Sequence, residues 1–208
     1  MAFSTGNNKI KTAVFISGTG SNLLSLIKFS NLKMSPISIN MIISNNVKSK
    51  GLIYSKKFKI KKKIFDFNKK TLTEKKILLI LKKDKINLIC LAGFMKILSK
   101  NFIKNFKGKI LNIHPSLLPK FKGKILNIHP SLLPKFKGLN THERAIKNKE
   151  KFSGCTVHYV NSKLDSGKII LQKKVKISRN ETPKTLSDKI LDQEHKLYPK
   201  AIIKIFNS

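Results

Sequence analysis

Short apolar runs rich in β-branched residues alternate along this chain with stretches whose apolar positions recur every three or four residues. That is the pattern of parallel βαβ units. Residues 12–17 read as a first strand, 21–29 as the helix after it and 37–44 as a second strand. Residues 49–58 read as a helix despite Gly51, and 63–67 as a third strand. Thr71 and Glu74 have capping-box spacing ahead of the helical pattern KKILLILKK. The run 86–93 is apolar almost throughout, as a strand covered on both faces should be. A helix near 99–106, a strand-loop unit that occurs twice, and a helix near 141–148 follow. The pattern then changes to two longer strands, 154–161 and 168–177, joined by the turn LDSG. A last helix starts at Thr182, with Pro183 well placed at its first position and a bend expected at Pro199. These elements predict an α/β fold: one domain over residues 1–208, built on an open, mostly parallel twisted sheet with helices on both faces.

The repeated unit is the feature that periodicity does not explain. Residues 106–123, FKGKILNIHPSLLPKFKG, recur letter for letter at 121–138. Two copies are too few for a solenoid, which needs at least three stacked units, so the reading is a 15-residue insertion into an ordinary globular domain. It doubles an Asn-x-His-Pro loop, giving Asn112/His114 and Asn127/His129.

The formal charge of +34 first suggests a nucleic-acid or anionic-membrane partner. Residue type argues otherwise. Arg144 and Arg179 are the only arginines, so 42 of the 44 basic residues are lysines, whereas arginine is the residue that reads phosphates and bases bidentately. The lysines are spread over every segment among many Ile and Asn residues, which fits an A/T-biased genome better than a binding stripe, since functional basic patches cluster. No specific nucleic-acid partner and no membrane partner is expected. Cys90 and Cys155 form no ligand or redox motif and suit a reducing compartment. With no signal-like segment and no run approaching a membrane span, a cytoplasmic location is expected. The five histidines have no zinc-site spacing, so no metal is expected.

Three segments carry candidate chemistry. The first strand ends in Ser17-Gly18-Thr19-Gly20-Ser21-Asn22, where glycines allow close approach of an anion to the free N–H groups of a helix start. Leu23 stands where the dinucleotide fingerprint has its third glycine, and a P-loop ending is missing. A tight turn with Ser21 as N-cap and a mononucleotide or sugar-phosphate site both remain open. Asn-x-His-Pro lies at the carboxyl end of a predicted central strand, where open α/β sheets place ligands. Asn there can hold an oxyanion and His can exchange a proton, although each alone is also an ordinary loop residue. Asp165 sits in the turn after residue 161, as a turn former or, if it lies against the histidine, as a carboxylate favouring the imidazolium.

Taken together, KTAVFISGTGSNLLSLI, LICLAGFMKILS, KILNIHPSLLPKFKG, GLNTHERAI, GCTVHYVNSKLDSGKIILQ and QEHKLYP resemble, in order and over nearly the whole chain, the glycinamide ribonucleotide formyltransferase family of purine biosynthesis. The resemblance implies transfer of a formyl group from 10-formyltetrahydrofolate to the amine of glycinamide ribonucleotide, without a metal or a covalent enzyme intermediate. It implies a nucleotide-phosphate-binding half over about 10–105 and a folate and catalytic half over about 106–208. Gly20, Ser21, Asn22 and Leu23 match the family's phosphate and ribose loop, and Glu194 matches a glutamate that contacts glycinamide ribonucleotide. Met95, Lys96, Ile97 and Leu98 match the folate stretch, together with the motif Asn, and Lys70 falls where the family commonly places a folate-contacting Arg. Asn, His and Asp165 match the catalytic set. Methionyl-tRNA formyltransferase and 10-formyltetrahydrofolate hydrolase share that set, but this chain shows neither the tRNA-binding nor the regulatory domain expected of them. An inactive duplicated copy and a Lys-rich nucleic-acid binder are the remaining alternatives, and a monomer or homodimer is expected.

Upstream spacing favours Asn112/His114 as the working copy and downstream spacing favours Asn127/His129. With a single strand position to fill, one copy should enter the sheet and the other be extruded as an apolar loop prone to aggregation. The second copy is favoured, because the spare residues then leave before the strand, away from the site.

Overall fold

The computed structural model describes residues 9–112, 125–161 and 163–206. Asn112 of the first Asn-x-His-Pro loop is described, whereas His114 and Pro115 lie outside the described residues. One eight-stranded sheet runs through the molecule, with strands β1 (Ile10–Ile16), β2 (Ile37–Ser44), β3 (Lys61–Ile64), β4 (Leu88–Leu91), β5 (Lys109–Asn112), β6 (Ile125–His129), β7 (Phe152–Tyr159) and β8 (Ile169–Lys176). Their spatial order is β3-β2-β1-β4-β5-β6-β7-β8, parallel from β3 to β6 and antiparallel at β6–β7 and β7–β8. The chain winds outward from β1 to β3, then resumes at β4 on the other side of β1. This is the topological switch at which open sheets leave a crevice beyond the carboxyl ends of the strands.

Alternation along β1 shows why both faces are covered. Val14 and Ile16 join one core with α1 (Ser21–Ser30), α5 (Thr141–Lys147) and α6 (Pro183–Phe206). Ala13 and Phe15 join a second core with α3 (Lys70–Lys83) and α4 (Lys100–Asn105). Burying each Leu, Ile or Phe of these layers contributes about 1.5–3 kcal/mol, which outweighs weak local propensity. α6 is one helix through Pro199.

Several local readings are corrected. The helix expected over 49–58 is a 3-10 turn at Lys50–Leu52 followed by a short α2 (Ile53–Lys57). Ser21 is the first residue of α1 and not its cap: that place belongs to Gly20, at φ +80°. No capping box forms at Thr71, because α3 already starts at Lys70 and Glu74 turns away to accept hydrogen bonds from the backbone N–H (2.8 Å) and hydroxyl of Ser99. Tertiary packing here overrides a local motif, and it lets Ser99 cap α4 through its bond from Phe102 N–H at 3.1 Å.

The larger correction concerns the repeat. The sheet does not choose between the copies, because each contributes a strand. β5 pairs with β6 in parallel register, Ile110 with Ile125, Leu111 with Leu126 and Asn112 with Asn127. Because the sequences are identical, the pleat directs equivalent side chains to the same face, so the second strand continues both cores. Ile110 and Ile125 enter one core, and Leu111 and Leu126 the other. The first copy is tied to the rest of the molecule. Tyr198 donates its hydroxyl to the Leu111 carbonyl at 3.2 Å, and Lys109 bonds the Ile205 carbonyl at 3.3 Å while lying 4.6 Å from the centre of the Phe206 ring.

Candidate active site

Three loops at the carboxyl ends of the strands bring the candidate residues together. The first follows β1. Its glycines are required by close packing: a Cβ on Gly20 would lie 2.7 Å from the Gly51 Cα, besides the strain of a positive φ. Gly18 is pinned from the other side, its carbonyl accepting from Gly51 N–H (3.0 Å) and the Ser49 hydroxyl (2.7 Å). The loop thus delivers the N-terminus of α1, with the backbone N–H groups of Ser21, Asn22 and Leu23 in its first turn, where an anion is favoured. His195 Nε2–H donates to Asn22 Oδ1 at 2.6 Å, leaving the Asn22 amide nitrogen as the end available to a ligand. Sequence reading missed His195; its place beside Glu194 in QEHKLYP was the available signal.

The second loop follows β4. Ser17 links it to the first: Ser17 N–H bonds the Gly93 carbonyl at 3.1 Å and Met95 N–H bonds the Ser17 hydroxyl at 2.8 Å. Met95 and Ile97 are exposed, Lys96 is exposed, and Leu98 is buried in the core. Leu98 is therefore an anchor for this stretch rather than part of its open surface. Beside it lies a polar cleft of about 510 Å³ between Ser17, Asn45, Asn68, Met95 and Lys96, with Asp66 and Phe67 on its wall. Lys70 starts α3 just beyond this wall.

The third group comes from β6, β7 and the turn before β8. Asn127 and His129 are two residues apart on β6 and face the same side. Both are buried, His129 completely. Asp165, at φ +43° in its turn, lies with Oδ2 3.3 Å from His129 Nδ1 and accepts from Gly138 N–H at 2.9 Å through the same oxygen. His129 Nε2 is 2.9 Å from the Phe136 carbonyl. Both ring nitrogens therefore face oxygen atoms, one of the Asp165 carboxylate and one of a backbone carbonyl. The loop between is held by Thr156, which bonds the Ser131 carbonyl (2.6 Å) and Leu133 N–H (3.1 Å), and by Gln172, which bonds the Leu133 carbonyl (2.8 Å).

A second histidine, missed in the sequence, shares the carboxylate. His158 Nε2 is 3.7 Å from Asp165 Oδ1, and its Nδ1–H donates to the Tyr159 carbonyl at 2.9 Å. Burial lowers its pKa, with a smaller contribution in the same direction from His129, so His158 is the neutral partner. Burial and His129 likewise lower His142. Glu194 on α6 is buried and pushed up to about 8 by desolvation. Cys90 and Cys155 are buried thiols raised to about 12, chiefly by desolvation, and so are poor nucleophiles. Among the described residues no group of three or more His, Cys, Asp or Glu is arranged to hold a metal ion, and no helix is long and apolar enough to cross a membrane.

The resulting layout is a helix start with free N–H groups, a cleft beside an exposed apolar stretch, and a buried His–Asp pair with a neighbouring carboxamide. Comparison with known proteins shows the family. The formyl transferase family matches residues 10–124 and 122–202, two segments that each hold one copy of the repeat. The chain is 37% identical to the phosphoribosylglycinamide formyltransferase of Haemophilus influenzae, over 92% of this chain and 85% of that protein. It is 39% identical to the human trifunctional purine biosynthetic protein adenosine-3 over 96% of this chain, and it spans about a fifth (19%) of that longer protein. The crystal structure of the Brucella melitensis phosphoribosylglycinamide formyltransferase superposes with a TM-score of 0.78 at 37% identity, covering 96% of both chains. The chain belongs to the formyl transferase family, among the phosphoribosylglycinamide formyltransferases.

Proposed function

We propose that this protein transfers the formyl group of 10-formyltetrahydrofolate to the amine of glycinamide ribonucleotide. The observation that carries the reading is the contact of His129 with Asp165 at 3.3 Å beside Asn127, at the carboxyl end of a central strand. The ribonucleotide phosphate sits on the N–H groups of Gly20–Leu23, and Glu194 faces the glycinamide portion. Met95, Lys96 and Ile97 line the folate side, with Lys70 meeting negative charge on the co-substrate as a point charge and not as a fork.

The chemistry follows from residue type. The substrate amine attacks the formyl carbon, forming a C–N bond and placing negative charge on the formyl oxygen. Asn127 Nδ2–H and the protonated His129 stabilise that oxyanion, and Asp165 keeps His129 charged and oriented. Collapse breaks the bond to the folate nitrogen, which takes up the proton released by the amine. No covalent link to the protein is needed.

Folate release from 10-formyltetrahydrofolate should depend on added glycinamide ribonucleotide. His129→Ala should lower kcat by at least about 100-fold, the scale of losing one oxyanion-stabilising group. His114→Ala should retain most of the activity. The reverse ranking would assign the site to the first copy, and release without the nucleotide would point to a hydrolase.

A further inference from the structure

We propose that Asn112, from the first copy of the repeat, is a positioning residue that fixes which end of the Asn127 carboxamide faces the substrates. This rests on the formyl-transfer reading above. A carboxamide has a donor end and an acceptor end of nearly equal shape. Holding an oxyanion requires the donor end, yet a neighbouring imidazolium attracts the oxygen and so favours the wrong orientation. Nothing within β6 makes the choice.

The inserted strand does. Identical strands in parallel register stack like side chains, and Asn pairs then form a ladder of amide hydrogen bonds. Asn112 and Asn127 are register partners, both buried, and Asn112 Nδ2 donates to Asn127 Oδ1 at 3.0 Å. With its oxygen engaged, Asn127 has Nδ2 and its two hydrogens left to present. On β4 the residue level with Asn112 is Leu91, which has no side-chain donor, so β4 could not serve this purpose if it lay directly beside β6. The duplicated unit thereby divides its labour: the second copy supplies the carboxamide and imidazole that meet the substrates, and the first supplies the donor that turns the carboxamide.

The test is steady-state formyl transfer by the full chain carrying Asn112→Asp, Asn112→Leu or Asn127→Ala, and by Asn127→Ala combined with each of the first two. Asp at 112 replaces the donor by an acceptor and forces Asn127 to turn its oxygen toward the oxyanion. Its kcat should fall about 100-fold, with KM for both substrates within about two-fold of the parent. Leu at 112, uncharged and near-isosteric, should fold and lose about ten-fold in kcat at unchanged KM. The Asn112→Asp activity relative to the parent should rise as pH falls, because a neutral carboxylic acid can again donate to Asn127 Oδ1. In the Asn127→Ala background neither change at 112 should cost more, the mark of coupled residues. Parent-like kcat in the Leu variant, or a loss that persists undiminished beside Asn127→Ala, would overturn the proposal. No turnover by the unsubstituted protein would instead defeat the formyl-transfer reading, and this inference with it.

Discussion

Asp165 lies between two imidazoles in different surroundings. His158 gives its Nδ1 proton to a backbone carbonyl and is held neutral by burial, whereas His129 has an acceptor at each nitrogen. Replacing Asp165 by Asn should cut kcat by at least about 100-fold with little change in nucleotide KM, because the His129 ring loses its carboxylate partner only where the transition state needs it. Glu194 gives a different pH signature. Its carboxyl ionises near 4.5 when unfolded and near 8 in the folded chain, so the folded state holds the extra proton between those values. The contribution of this group to stability is therefore most favourable below about 4.5 and falls as pH rises toward 8. Thermal melts of Glu194→Gln should match the parent near pH 4.5 and show a higher Tm at pH 8.5; a parallel pair of profiles would mean the carboxyl is not desolvated. The closeness of Asn127, His129 and Asp165 was expected from the family resemblance, with Asn112/His114 as the alternative copy, because residue type alone also fits ordinary loop and turn positions. His158 and His195 were not, since each acquires its role from a partner on another element.

Strands carry more of the functional geometry than helices do. An inter-strand step is about 4.8 Å, and β5 inserts one such step between β4 and β6. His129 consequently stands one step further from the glycine-rich loop after β1, the phosphate site of the proposed function, than it would in a chain with a single copy. Deleting residues 109–123 joins Gly108 to Lys124 and leaves the same ILN strand sequence to pair with β4. That variant should keep an α/β circular dichroism spectrum and show a lower KM for glycinamide ribonucleotide. A higher KM would mean that the wider spacing is the one the nucleotide fits. Element type was readable for nearly every segment, because a period of two or of 3.6 is a local property. The capping box at Thr71 misled, because the buried Glu74 carboxylate gains more from the two donors of Ser99 than from its own helix end.

At the level of the whole molecule, the charge acts as a diffuse field. Lys61, Lys62 and Lys63 are exposed along the edge strand β3, where lysines discourage pairing with another sheet, so part of the excess has a structural use. Binding to duplex DNA should weaken by about 10³ between 50 and 200 mM salt and be equal for two unrelated sequences, as measured by fluorescence titration. A sequence preference that survives at 200 mM would reinstate a nucleic-acid partner. What the sequence by itself determined was the alternation of strand and helix, the glycine-rich turn after β1, and the placing of Asn127 and His129 two residues apart. Each follows from residues within a few positions of one another. Only the tertiary structure decided that both copies enter the sheet, that Asp165 reaches His129 across the turn before β8, and that Asn112 meets Asn127. Those are pairings between segments distant in the chain, and their energies depend on which strands lie side by side, which no local period encodes.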